Sequence, residues 1–112
     1  MKYAVVLLNE KQVDTVAQAD SLGLAKKLLH KEYINKICEI RNDVSNDYIE
    51  ENCGIIEITQ DIDCLYDLLL HNNLVNKFLK YCSRRNGFVV NNSRATLLSD
   101  NVSYTYKIVN VT

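Results

Sequence analysis

Lys77, Lys80 and Arg84 recur at spacings of three and four residues, which on a helix brings three cations onto one face. Asn76 and Ser83 sit among them, and Arg85 and Arg94 follow along the chain. Cations interleaved with amides can hold phosphate and reach a base edge, so Asn76, Lys77, Lys80, Arg84, Arg85 and Arg94 are the candidates for nucleic-acid binding. If His71-Asn72-Asn73 breaks the helical region, residues 62–70 and 74–84 have the pattern of a helix-turn-helix. The strands from Phe88 onward would then be a wing with Arg94 near its tip. Two features rank this second: the turn lacks the usual glycine, and the acidic stretch ahead of it would repel DNA.

That acidic stretch is the other chemical feature. Residues 43–67 hold eight acidic and no basic side chains, whereas residues 68–112 hold six basic and one acidic, so a net charge of −1 conceals two opposed blocks. Part of the sorting follows the helix dipole. Asp61, Asp63 and Asp67 fall at the start of a helical region and Lys77, Lys80, Arg84 and Arg85 at its end, at about 0.3–1 kcal/mol per favourable charge. Asp43, Asp47, Glu50, Glu51 and Glu57 are outside that account. Five like charges without counter-ions repel one another unless solvated or paired with a partner. With Tyr48 and Ile49 as apolar anchors among them, these seven residues form the expected partner-binding set, suited to a protein partner or to head-to-tail self-association in a homodimer.

Catalytic chemistry finds less support. Glu57, Asp61, Asp63 and Asp67 offer oxygen ligands of the kind magnesium takes, yet Asp61 reads as a helix cap and Asp63 and Asp67 as a solvated face. Cys38, Cys53, Cys64 and Cys82 have no Cys-x-x-Cys spacing and read as small, mostly buried hydrophobes. Cys64 and His71 are two helical turns apart, about 10 Å along the axis, too far for a direct hydrogen bond. Glycines at 23, 54 and 87 cannot form a phosphate-cradling loop. The expectation is a non-enzymatic protein with no catalytic residues, metal or cofactor.

The elements that must position these residues are legible in outline. Residues 2–8 are an apolar run that reads as a buried strand, followed by a turn at 9–11 and a second hairpin strand over 12–18. Asp20 or Ser21 caps a helix from about Leu22, whose stripe (Leu22, Ala25, Leu29, Tyr33, Ile37, Ile40) carries it to about Arg41. The alternative stops that helix near Lys31 and makes 36–41 a strand. Residues 42–52 read as a polar loop and the β-branched run 54–59 as a central strand. Asp61 caps the next helical region, either one helix or two in series, and Asn86-Gly87 stops it. Strands follow at 88–91, 95–98 and 103–111. Tyr104 and Tyr106 share a face of the last, and packing against helices is favoured over base stacking for them.

The chain of 112 residues is 47% hydrophobic and 24% charged, the balance of one soluble domain over residues 1–112. No apolar run approaches the roughly 18 residues of a membrane span, and the opening MKYAVVLLNEK is too short for a secretory core, which points to the cytoplasm of a cell or of an infected host. Ile, Asn, Lys and Tyr total 38 residues and Pro, Gly, Ala and Arg only 12. That bias marks A/T-rich coding, as in low-GC bacteria, their phages and many large DNA viruses, so a phage or viral accessory protein is expected. The fold expectation is α+β, a mostly antiparallel sheet of four to six strands with two or three helices packed on one face. A winged helix with an extra N-terminal hairpin is second.

Overall fold

The structure, a computed structural model, describes residues 2–59 and 61–111; Met1, Gln60 and Thr112 of the expected domain lie outside the described residues. Five strands, β1 (Tyr3–Asn9), β2 (Gln12–Ala19), β3 (Phe88–Val90), β4 (Arg94–Ser99) and β5 (Val102–Asn110), form one antiparallel sheet in the order β2-β1-β5-β4-β3. Four helices pack with it: α1 (Leu22–Ile40), α2 (Asn42–Glu51), α3 (Leu65–His71) and α4 (Val75–Ser83). The fold is α+β. Because β5 pairs along its length with β1, the last three strands join the N-terminal hairpin in one sheet and are not a separate wing.

Alternation within the strands selects the faces. Val5 on β1, Phe88 on β3, Ala95 and Leu97 on β4, and Tyr106 on β5 point into a single hydrophobic cluster with the helices. Val13, Val89, Arg94, Leu98 and Lys107, on the alternate positions, are exposed, while Ala4, Val6 and Thr105 at the centre of that second face are buried. Val5 pairs with Ala17 and Val6 with Thr15, which leaves Val16 as the extra residue of a bulge in the edge strand β2. The β4–β5 turn puts Asp100 and Asn101 both at positive φ, the geometry whose twist matches a two-residue hairpin.

Helix α1 is continuous, and no strand forms at 36–41. The Ser21 hydroxyl accepts from the Leu24 N–H at 3.2 Å, and Ala25, Leu29, Tyr33, Ile34 and Ile37 bury one side against the sheet. The Tyr33 hydroxyl donates to the Thr96 carbonyl at 2.7 Å, and its ring meets Tyr106 edge-on at 6.3 Å. Such aromatic pairs add about 0.5–1.5 kcal/mol beyond area burial. The break at 71–73 is real. Asn73 takes φ 57°, a conformation open to asparagine, and separates α3 from α4.

Three expectations are corrected. The expected loop at 42–52 is instead helix α2, Asn42–Glu51, with its C-cap at Asn52, because Val44, Ser45 and Tyr48 lie on one side and are buried against α1 and α4. Tyr48 packs edge-on to Phe78 at 5.1 Å and to Tyr81 at 4.9 Å. Residues 54–59 are not a strand. The amide of Asn72 hydrogen-bonds both main-chain groups of Glu57, accepting from its N–H at 2.7 Å and donating to its carbonyl at 3.1 Å. A side chain therefore supplies what a neighbouring strand would have offered, and β-branched propensity is overruled by context. Asp61 does not cap a helix: α3 starts at Leu65, and Asn35 of α1 accepts from the Tyr66 N–H at 3.2 Å. That orphan donor is satisfied from 31 residues away.

Candidate functional site

Two concavities on the described surface lie between helices. The larger, about 550 Å³, lies between α1, α2, α3 and the residues Ile58, Ile62, Asp63 and Cys64. On α1, Asn35, Cys38 and Glu39 are three and four residues apart and share the face toward it. Leu65 and Leu68 of α3 and Ile49 of α2 form its apolar walls, closed by Ile58 and Ile62. Ile58 is 73% exposed, so a large hydrophobic side chain faces water at the mouth of the groove. The charged residues that line it are Glu39 on one wall and Asp63 on the other, and Lys36 of α1 donates to the Glu39 carboxylate at 3.2 Å. The Asn35 hydrogen bond to Tyr66 and the Asn72 bonds to Glu57 fix the positions of α3 and of the segment carrying Ile58.

The smaller concavity, about 320 Å³, lies between α1, α4 and the β3–β4 connection. His30, Asn76, Lys80, Ser83, Asn91 and Asn92 supply its polar groups, and no carboxylate lines it. Burial holds the His30 imidazole below its ordinary pKa, opposed by a main-chain hydrogen bond at Asn91. The Asn91 side-chain oxygen accepts from the Ser93 and Arg94 N–H groups at 3.1 and 2.8 Å.

The expected acidic set is divided by the fold. Asp43 is neutralised within the chain: Arg41 donates to both its carboxylate oxygens at 3.0 Å, which draws the carboxyl below its usual range. Asp47, Glu50 and Glu51 surround a shallow depression on the outer side of α2 and, among the described residues, form no ion pair. Glu57 is 3.8 Å from His71. Tyr48, an expected anchor, is only 5% exposed and belongs to the core, since its ring links α2 to α4; it is not available to a partner. Ile49 is half-buried and lines the groove.

The expected basic set is divided as well. Asn76, Lys77 and Lys80 are exposed on α4, with Arg84 exposed at its end. Arg85 folds back instead: its guanidinium lies 3.8 Å over the Tyr81 ring and donates to the Tyr81 hydroxyl at 2.6 Å and to its carbonyl at 3.1 Å. Arg94 pairs in register with Lys107 on the second sheet face, away from α4, because its neighbour Ala95 points into the core.

Sequence reasoning missed Ile58, Ile62 and Glu39 as groove residues and His30, Asn91 and Asn92 as pocket residues. The exposed Ile58 was hidden inside a strand-like run, and the half-buried Ile62 inside a helical one. A neutral histidine one helix away from the cations carries no sequence signal. Two of the four cysteines, Cys38 and Cys53, are exposed and not buried, because each lies on the water side of its segment. Cys82 is fully buried, and burial pushes its thiol up to about 12, which keeps it protonated and inert. No group of three metal-ligating side chains forms among the described residues, and no helix there is long and apolar enough to cross a membrane. Comparison with protein-family models, with curated proteins and with solved structures finds no match.

Proposed function

We propose that this protein is a small non-enzymatic interaction protein of the cytoplasm, of an A/T-rich cell or of one infected by a phage or virus that encodes it. On this reading it seats a cationic amphipathic segment of a partner protein in the groove between α1, α2 and α3. The observation that carries the proposal is an apolar floor of Ile49, Ile58, Ile62, Leu65 and Leu68 bordered by the carboxylate of Asp63 and by Glu39, which is paired with Lys36 at 3.2 Å. Apolar anchors supply the affinity of such a contact, and rim charges supply its rate and orientation. Amphipathic helices docking in apolar grooves use this division of labour. The free carboxylates Asp47, Glu50 and Glu51 on the outer side of α2 extend the negative field that draws a cationic partner in.

The test uses a fluorescent amphipathic peptide of leucine and lysine, with its glutamate counterpart as control, read by anisotropy. The lysine peptide should bind, the glutamate peptide should not, and Ile58→Asp should weaken binding at least tenfold without lowering thermal stability. The expected loss follows from about 1.5–3 kcal/mol for burying an isoleucine side chain that is now mostly exposed. Equal binding of both peptides, or an unchanged affinity in Ile58→Asp, overturns the proposal. Light scattering adds one more outcome: a dimer dispersed by Ile58→Asp makes a second copy of this chain the occupant.

A further inference from the structure

We propose that the polar pocket between α1, α4 and the β3–β4 connection binds a phosphate-bearing ligand of about nucleotide size. Its volume of about 320 Å³ falls at the lower end of the ligand-site range, roughly 300–1,000 Å³. Lys80 contributes a cation, and Asn76, Ser83, Asn91 and Asn92 contribute polar groups around it. Because the Asn91 oxygen is already committed to two main-chain N–H groups, the part of its amide left for a ligand is the NH₂ donor. Leu79 and Val90 add apolar surface to the same lining. A lining that mixes a cation and polar groups with apolar side chains suits a phosphate attached to a sugar or base better than a free inorganic ion.

The surroundings match a ligand with more than one negative charge. Lys77 and Arg84 lie three and four residues from Lys80, on the same side of α4. Lys26 and Lys27 lie four and three residues before His30, one turn along α1. The pocket thus sits where two helices present their cations, and no carboxylate in its lining opposes them. This site is separate from the acidic groove, and its proposal stands or falls independently of that one.

Backbone amide shifts report the test directly, with adenosine 5′-monophosphate, adenosine, inorganic phosphate and a ten-residue oligothymidylate as probes. The phosphorylated organic probes should shift the amides of Asn76, Lys80, Asn91 and Asn92, with adenosine and phosphate each binding at least tenfold more weakly. Saturation by the mononucleotide assigns the site to a small ligand; binding only of the oligonucleotide assigns it to a nucleic-acid strand. Lys80→Glu, an exposed substitution, should abolish the shifts, whereas Lys107→Glu on the second sheet face should leave them unchanged. For the oligonucleotide, Lys80→Ala should also reduce the slope of log affinity against log salt by about one. No shift with either phosphorylated probe at millimolar concentration overturns the inference. Equal weakening by Lys107→Glu overturns it too, because the attraction would then be diffuse rather than seated in the pocket.

Discussion

Replacing Asn72 by alanine removes three hydrogen bonds at once: from the Glu57 N–H at 2.7 Å, to the Glu57 carbonyl at 3.1 Å and to the Leu68 carbonyl at 2.9 Å. A neutral hydrogen bond contributes about 0.5–1.5 kcal/mol net. The two bonds to Glu57 are solvent-exposed, so the freed groups rehydrate and their loss falls at the low end. The expected total is therefore about 1–2 kcal/mol, or about 4–8 °C of melting temperature for a chain of this size. Urea denaturation should show the midpoint falling with an unchanged slope, since the core is untouched. Hydrogen exchange gives the sharper readout: the Glu57 amide should lose its protection while amides in β1 and β5 keep theirs.

Asn72→Asp divides the mechanism further. It keeps the oxygen that accepts from the Glu57 N–H but loses both donors, and it places a negative charge at the C-terminal end of α3. It should destabilise at least as much as alanine and yet leave the Glu57 amide protected. A Glu57 amide that stays protected in Asn72→Ala, or a loss above about 4 kcal/mol, would show that something other than these bonds holds the segment. Because that segment carries Ile58, its release should also loosen the wall of the acidic groove.

Gly87 stands at φ 93°, and a β-carbon there would meet the Leu98 carbonyl oxygen at 2.9 Å. Gly87→Ala should cost more than about 2 kcal/mol in chemical denaturation, whereas Gly54→Ala, with open space around it, should stay within about 0.5 kcal/mol. His30 adds a pH dependence of known sign. Its folded pKa lies below the ordinary value of 6.5, so the unfolded chain takes up the proton first as pH falls. Stability should decline from pH 6.5 downward until the folded-state pKa is passed, and His30→Gln should remove that part of the slope. An unchanged pH profile in the variant would refute the assignment.

The strands of the sheet and helix α1 were legible in the chain because their signals are local. Ala4 to Leu8 form an unbroken apolar run, Ser21 caps its own helix, and Ala25, Leu29, Tyr33 and Ile37 repeat at one helical period. The paired asparagines marked the break between α3 and α4 for the same reason. Charge segregation was equally readable as a count along the chain. Where those charges came to rest was not. Arg41 neutralises Asp43, Arg85 is held by Tyr81, and Arg94 is turned to the far side of the sheet by strand alternation. The stretch from Asn42 to Cys64 was misread because its structure depends on distant partners. Tyr48 makes α2 a helix by packing on Phe78, Asn72 holds Glu57 out of a sheet, and Asn35 starts α3. Both concavities arise from such long-range pairings, for which local periodicity has no signal. Sequence alone determined which residues were apolar, charged or turn-forming; packing between distant segments decided which of them meet water together.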